Sequence, residues 1–313
     1  MVIHISLAVR DWDYMTPLLL GDVRSDKVHL KIERVNAIIT NLATDQFYDA
    51  AETSFSRYVQ QRISNDERTV GISNFLMRGF RHRCVITRTD GPQRLADLKN
   101  KKIGITGWQD SGSIWTRAVL RHEGIDIRDA YWFVGRLADV DSVGSRFDNF
   151  VPNDRVQAVP DNKSIMHLLD IGFLDAICTP FMPLDFFREN GKYRQLDLNF
   201  HNLEKAYFKA KQYVPGIHII SIKEEMIAKY KWLPNELNRM IDTSRKVWIE
   251  KRRKYIDTTP YLVPDSFYLS DNYFKSGLVE NKKMVNDFVS EMNIQNIISK
   301  HISETDLFPF CMD

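Results

Sequence analysis

Long apolar runs are missing from this sequence, because no stretch approaches the roughly 18 to 20 consecutive apolar residues that a membrane-spanning helix needs. An excess of charge is missing too, since 43 Lys and Arg residues stand against 41 Asp and Glu residues, for a formal net charge of +2. That balance argues against a nucleic-acid-binding surface as the main function. We therefore expect a small-molecule partner, with neither nucleic acid nor membrane.

Cysteine is scarce as well. The three cysteines, Cys84, Cys178 and Cys311, are odd in number and far apart, which fits a reducing compartment better than an oxidising one. Residues 1–9 read directly as a strand and lack the basic and apolar regions of a secretion signal. We therefore expect the protein to remain in the cytoplasm.

Cofactor motifs are not found either. The eight histidines are scattered, and no Cys or His pair has the spacing of a zinc finger or a zincin. Gly104 and Gly107 do not make a G-x-G-x-x-G fingerprint, and there is no P-loop. The sequence requires no cofactor, although assistance by a divalent metal stays open.

Strand and helix patterns alternate along the 313 residues, which predicts an α/β protein of two lobes. The predicted strands are Ile3 to Val9, His29 to Val35, a short strand within Tyr48 to Ser56, Cys84 to Thr87, Ile103 to Thr106, Asp175 to Thr179 and Val214 to Ile222. The predicted helices are Met15 to Leu20, Ser56 to Ile63, Ile114 to His122, Ser164 to Gly172, Glu224 to Tyr230, Pro234 to Lys254 and Val279 to Lys300. Residues 134–160 show little periodicity and are predicted to form a long surface excursion.

The order of these segments predicts a discontinuous first lobe, residues 1–88 and 221–313, with a second lobe, residues 89–220, inserted between its halves. Hinge connectors then lie at the ends of the second lobe. Such lobes enclose a ligand cleft and close around the ligand by hinge motion, which excludes water.

Seven short segments suggest a family. They are Ser6 to Asp13, Tyr48 to Tyr58, Met77 to His82, Leu95 to Ile105, Asp175 to Pro180, Val214 to Ile220 and Asp306 to Phe308. In order and spacing, over nearly the whole chain, they resemble 4,5-dihydroxyphthalate decarboxylase and its relatives. The resemblance implies the two-lobed type II periplasmic-binding-protein-like fold, a ligand cleft between the lobes, and decarboxylation of a hydroxylated aromatic diacid.

Decarboxylation of an aromatic ring requires protonation of the ring carbon, so the site needs a general acid and cationic groups that hold a carboxylate. Arg78, Arg81 and His82 lie together on a predicted loop before a strand. Arginine-rich loops are usually solvated surface, but the resemblance favours a site role for Arg81 and His82. Arginine suits this role because its guanidinium binds a carboxylate through two hydrogen bonds.

A second histidine, His218, lies in an apolar strand, where it is either a packed core residue or a rival of His82 as the proton donor. Asp11 and Glu52 are candidates for accepting the proton of a substrate hydroxyl. Asp13 is expected instead to cap the following helix.

A carboxylate cradle is predicted where a helix begins at Ser111, Gly112 and Ser113, with Arg117 one turn further on the same side. The competing interpretation is an ordinary helix cap. The other substrate-binding candidates are Arg10, Pro180 and Trp108, which either stacks on an aromatic ring or belongs to the core.

The leading hypothesis is therefore a carboxy-lyase that acts on a hydroxylated aromatic carboxylate, with a histidine proton donor and an arginine clamp. The alternatives are a non-catalytic binding protein for a small carboxylate or aromatic solute, and a different lyase acting on a related substrate. A homo-oligomer also stays open.

Overall fold

The structure, a computed structural model of the chain, describes residues 2–144, 146–147, 150–183, 186, 190–254 and 275–310. Cys311 lies outside the described residues. The chain divides into two compact units. The first comprises the described residues of Met1–Arg78, Tyr213–Asp287 and Ile302–Asp313, and the second those of Gly79–Gln212 and Phe288–His301.

The secondary structure alternates between strands and helices, as predicted. The strands are β1 (Ile3–Val9), β2 (Val28–Arg34), β3 (Ala50–Ser54), β4 (Thr69–Arg78), β5 (Val85–Arg88), β6 (Lys102–Ile105), β7 (Tyr131–Val134), β8 (Val156–Ala158), β9 (Ala176–Cys178), β10 (Tyr193–Gln195) and β11 (Gly216–Lys223). The helices are α1 (Thr16–Leu19), α2 (Phe55–Ile63), α3 (Ser111–His122), α4 (Ile165–Asp170), α5 (Phe200–Lys211), α6 (Glu224–Lys229), α7 (Leu233–Lys254), α8 (Leu278–Ile294) and α9 (Glu304–Leu307).

The sheet of the first unit has the strand order β2-β1-β3-β11-β4. Strands β1, β2 and β3 are parallel, whereas β11 is antiparallel to both β3 and β4. Consequently, β11 begins at the edge of the sheet where β1, β3 and β4 end. This edge is the usual place for a ligand site in a sheet with parallel strands.

The core of the first unit is rich in aromatic rings. Phe55 and Phe75 meet edge to face with their ring centroids 5.1 Å apart, and Phe308 stacks on Phe55 at 6.0 Å. Gly216 lies directly against Phe75, where a methyl group would overlap the ring. Glycine therefore lets the start of β11 approach the core closely, two residues before His218.

The sheet of the second unit has the order β10-β5-β9-β6-β7-β8. Strands β6, β7, β8 and β9 are parallel, and β5 is antiparallel to β9. Helix α3 follows β6 and packs its apolar face into the core. The helix is terminated by Gly124, whose φ of +88° lies in the left-handed region that glycine adopts easily.

The unit boundaries differ from those predicted. Strand β5 pairs with β9 and β10, so the first crossing lies after Arg78 rather than after residue 88. Strand β11 pairs with β3 and β4, so the return crossing lies before Tyr213 rather than after residue 220. Residues 288–301, expected in the first lobe, belong to the second unit, where Gln295 bonds to Arg117.

Some elements were not predicted from the sequence. The sequence does not predict strands β4, β7 and β10 or helices α5 and α9, and the predicted surface excursion, residues 134–160, contains the short strand β8. Strand β4 has no clear sequence signal, because it is buried on both faces over most of its length and therefore lacks the alternation of polar and apolar residues.

Candidate functional site

A buried carboxylate organises the edge of the first unit. Glu52 on β3 is 0% exposed, and its Oε2 accepts hydrogen bonds of 2.8 Å from the backbone N–H of Arg10 and from the indole Nε1 of Trp12. Its Oε1 lies 2.6 Å from Nδ1 of His218. The three contacts satisfy a carboxylate that would otherwise be costly to bury.

The strand register explains why these side chains meet. Glu52 pairs with Ile220 and Ser54 pairs with His218 across β3 and β11, so Glu52 and His218 are diagonal neighbours on one face of the sheet. Arg10 follows the last residue of β1, which lies beside β3. The contacts from Arg10 and Trp12 thus depend on the pairing of β1 with β3, and the contact from His218 depends on the pairing of β11 with β3.

The imidazole of His218 is oriented by this contact. An ionised Glu52 accepts the proton of Nδ1, which leaves Nε2 as the nitrogen available for exchange with a ligand. Nε2 makes no hydrogen bond to the described residues, and the side chain is 12% exposed. The pair therefore has the geometry of a histidine acid or base held in place by a carboxylate.

The other acids of the first loop lie apart from this pair. The carboxylate of Asp11 is 76% exposed and forms a 2.8 Å ion pair with Arg34, so it does not join Glu52. Asp13 forms an ion pair with Arg252 at 2.9 Å and caps no helix, so the predicted cap is wrong. Arg10, in contrast, is close to the pair formed by Glu52 and His218, with its guanidinium 5.8 Å from the Trp12 ring centroid.

Arg78 is bound inside the first unit. Its guanidinium donates to the carbonyl of Val214 at 3.1 Å, to the carbonyl of Lys275 at 3.2 Å and to Oδ1 of Asn281 at 2.5 Å. Burial lowers the pKa of Arg78 to about 9. These contacts give Arg78 the character of a structural residue at the end of β4.

The second unit has its own carboxyl edge. Because β6, β7, β8 and β9 are parallel, the residues that follow them lie at one edge. Val85, at the start of β5, pairs with Cys178 at the end of β9, which brings the preceding Arg81 to the same edge. Pro180 follows β9 there and is exposed. Helix α3 begins at this edge, after β6.

Arg81 lies against the start of α3. It is 3% exposed, and its Nε donates to Oγ1 of Thr116 at 3.2 Å. A Cβ placed on Gly112 would be 3.1 Å from Nη2 of Arg81, so the guanidinium covers the first turn. Ser111 and Ser113, on either side, are buried. Within the second unit, Arg81 therefore lies beside the helix start that the sequence predicts as a carboxylate cradle.

Arg117 and Trp108 belong to the interior. The Arg117 guanidinium lies 4.0 Å from the Trp108 ring centroid, donates to the Trp108 carbonyl, and donates to Oε1 of Gln295 at 2.7 Å. Burial lowers the pKa of Arg117 to about 9. Trp108 contacts the ring of Phe150 at 4.6 Å. Both side chains lie in the interior of the second unit, where Nη1 of Arg117 and Nε1 of Trp108 make no hydrogen bond to the described residues.

His82 points to the opposite end of α3. Its ring is fully buried beside Tyr207, and its Nε2 lies 3.7 Å from Oε1 of Glu123, which follows the last helical residue. The His82 ring lowers the pKa of the Glu123 carboxyl. At 1.5 Å per residue, about 16 Å of helix separates Gly112 from Glu123. His82 is therefore remote from the start of α3.

The described residues contain neither a metal-binding cluster nor a membrane-spanning helix. No group of three or more His, Cys, Asp and Glu side chains there is placed to hold a metal ion. Within the same residues, no helix combines the length and the apolar character needed to cross a membrane.

The chain was compared with known proteins. No protein-family model matches it. A curated 4,5-dihydroxyphthalate decarboxylase of Comamonas testosteroni is 24% identical over 323 aligned residues, which cover 98% of this chain and 96% of that protein. Another, from Pseudomonas putida, is 25% identical over 215 residues, which cover 67% of this chain and 83% of that protein.

Solved structures show the fold. The periplasmic aliphatic sulphonate binding protein of Escherichia coli superposes with a TM-score of 0.59 at 10% identity and 98% coverage of each chain. The alkanesulfonate-binding protein of Xanthomonas axonopodis pv. citri gives 0.56 at 10% identity, with 95% of this chain and 94% of that chain covered. The predicted periplasmic-binding-protein fold is confirmed. The curated relatives confirm the predicted resemblance to the 4,5-dihydroxyphthalate decarboxylase family and the expectation of an enzyme of carboxy-lyase type.

Proposed function

We propose that this protein removes carbon dioxide from a hydroxylated aromatic carboxylate of the dihydroxyphthalate type, with His218 as the acid that protonates the ring. The names of the curated relatives support the substrate class. The observation that carries the proposal is the 2.6 Å contact between Glu52 and His218, at the edge where β1, β3 and β4 end.

The reaction needs one proton and releases one molecule of carbon dioxide. A hydroxyl group ortho or para to the carboxylate pushes electron density into the ring, and the ring carbon takes the proton from Nε2 of His218. The bond from that carbon to the carboxylate then breaks, its electron pair restores the aromatic ring, and carbon dioxide leaves. The neutral imidazole regains its proton from solvent. General acid catalysis of this kind typically contributes about 10²- to 10⁴-fold in rate.

Glu52 has a positioning role in this scheme. Both of its oxygens are occupied by donors of the protein, so it holds the imidazole in one orientation and compensates the charge of the imidazolium. An arginine that holds a substrate carboxylate completes the proposal, because a guanidinium binds a carboxylate through two parallel hydrogen bonds.

The direct test is to incubate the purified protein with aromatic acids labelled with carbon-13 in the carboxyl groups, in deuterium oxide, and to follow the gas and the ring product by mass spectrometry. The panel includes 4,5-dihydroxyphthalate, monohydroxybenzoates and phthalate. We expect labelled carbon dioxide only from acids with a hydroxyl ortho or para to a carboxyl group. After the hydroxyl and carboxyl deuterons are exchanged back in water, each product molecule should retain one deuterium, at the carbon that lost the carboxyl group.

The opposite result is equally clear. An acid that raises the melting temperature of the protein but is recovered unchanged and without deuterium would favour a solute-binding protein. Loss of a group other than carbon dioxide would favour a different lyase.

A further inference from the structure

Arg81 is a buried cation of the second unit. Its side chain is buried, yet no carboxylate among the described residues lies within ion-pair distance of it, and its Nε bond to the neutral hydroxyl of Thr116 is its only hydrogen bond there. Its two terminal nitrogens thus make no hydrogen bond to the described part of the chain. A buried charge without a counter-ion is costly, so such a group normally has a partner.

The position of Arg81 makes this cost larger. The N–H groups at the start of a helix point outward and carry partial positive charge. In α3, Ile114 is the first residue of the helix whose N–H bonds to a carbonyl one turn earlier, that of Asp110. Asp110 is the residue before the helix, and its side chain makes no capping bond. The guanidinium of Arg81 therefore lies against the positive end of the helix.

Two neighbouring residues fix this arrangement. Thr116 accepts from Nε of Arg81 and donates its own proton to the carbonyl of Gly112 at 2.8 Å, which orients the guanidinium toward the first turn. Gly112 has no Cβ to fill the space, and one placed there would be 3.1 Å from Nη2 and 3.6 Å from Nη1 of Arg81. Any larger residue would press on the guanidinium.

We infer that Arg81 and the first turn of α3 form a binding site for an organic carboxylate. The two terminal nitrogens of Arg81 match the two oxygens of a carboxylate, and the N–H of Gly112 is a further donor. The anion supplies the counter-charge that Arg81 lacks among the described residues. The choice of an aromatic carboxylate as ligand rests on the proposed function, whereas the binding of an anion does not.

Phthalate is a suitable probe, because it has the carboxylates but lacks the hydroxyl groups that activate the ring, so it binds without turnover. Isothermal titration calorimetry should show binding of phthalate and none of its neutral diamide. Arg81→Met should weaken phthalate binding at least about tenfold, since a charge-assisted bidentate contact is worth more than 1.4 kcal/mol. Arg81→Lys should fall between Met and the wild type, because an ammonium cannot make the bidentate contact.

Two further variants sharpen the test. Gly112→Ala keeps every charge but displaces the guanidinium, so we expect several-fold weaker binding. Lys101→Met is the matched control, because it removes one cation of the same unit at the amino end of β6, where the Lys101 side chain is 44% exposed and 3.5 Å from Asp175. It should leave phthalate affinity unchanged.

The ligand-free protein provides a readout that a structural arginine would not give. Arg81→Met removes an uncompensated charge, so the melting temperature should rise without phthalate and gain less when phthalate is added. A lower melting temperature together with unchanged phthalate affinity would overturn the inference. Phthalate binding that depends on Arg81, in a protein that decarboxylates no acid of the panel, would support this site while contradicting the proposed function.

Discussion

Glu52 in the first unit and Arg81 in the second are both buried ionisable groups at the carboxyl edge of a sheet, but their surroundings are opposite. Glu52 accepts from Arg10, Trp12 and His218. Arg81 makes one hydrogen bond, to Thr116, and has no counter-ion among the described residues. The contacts of Glu52 hold it in a fixed position, whereas the terminal nitrogens of Arg81 keep their hydrogen-bonding capacity for a ligand.

The histidines His218 and His82 also differ in their surroundings. His218 has one ring nitrogen on a carboxylate and the other available, which is the arrangement of a working acid. Both ring nitrogens of His82 lack a hydrogen bond among the described residues, and the ring is fully enclosed. The geometry thus favours His218 over His82 as the proton donor, a choice that kinetics can test.

The largest expected effect is on turnover. His218→Gln should lower kcat about a hundredfold or more, because it removes the general acid, while phthalate affinity stays within about twofold of the wild type. His82→Gln should keep most of the activity. Steady-state release of carbon dioxide measures the first quantity and calorimetry the second.

Circular dichroism and thermal melting would verify that both variants fold. Full turnover in His218→Gln would remove the basis of the proposed mechanism. If His82→Gln alone lost turnover with its fold and phthalate affinity intact, the assignment of the two histidines would have to be exchanged.

A smaller effect is expected for Glu52→Gln, roughly tenfold on kcat. The amide oxygen can still accept from Arg10 and Trp12, but the amide nitrogen then faces Nδ1 of His218 and favours the tautomer without a proton there. Glu52→Asp, which keeps the charge, should recover part of the rate.

A double variant tests whether the two residues act together. If Glu52 works only through His218, then adding Glu52→Gln to His218→Gln should cause no further loss of kcat. Additive losses would instead indicate an independent role for the carboxylate.

The sequence predicts the residues of the candidate site but not their contact. The strand and loop patterns indicate Glu52 and His218 individually. Their contact joins positions 166 residues apart, however, and depends on β11 running antiparallel between β3 and β4, which no local pattern encodes. The sequence analysis does not predict the hydrogen bond from the indole of Trp12 to Glu52. The position of Trp12 directly after β1 is the signal that places it at this edge of the sheet.

The arginines show the limit of spacing arguments. Arg78, Arg81 and His82 were interpreted as one cluster because they are close in sequence. In the structure Arg78 bonds within the first unit, and Arg81 and His82 contact different ends of α3. Arg117 was predicted to face the helix start, but Gln295, which lies 178 residues further on, binds it in the interior.

The smallest effect concerns Tyr14, a buried phenol of the first unit that donates to the carbonyl of Leu76 at 2.5 Å. Burial raises the pKa of Tyr14 to about 12 from 10.0. Between those values the unfolded chain loses the proton while the folded chain keeps it, so this group's contribution to stability falls as the pH rises.

From pH 9 to pH 11, the free energy of unfolding of the wild type, relative to Tyr14→Phe, should fall by about 1 kcal/mol. Urea unfolding of both proteins at the two pH values measures this difference. If the difference between the two proteins were constant, Tyr14 would ionise equally in the folded and unfolded chains. The interior of the first unit would then exclude water from its ionisable groups less completely than the contacts of Glu52 indicate.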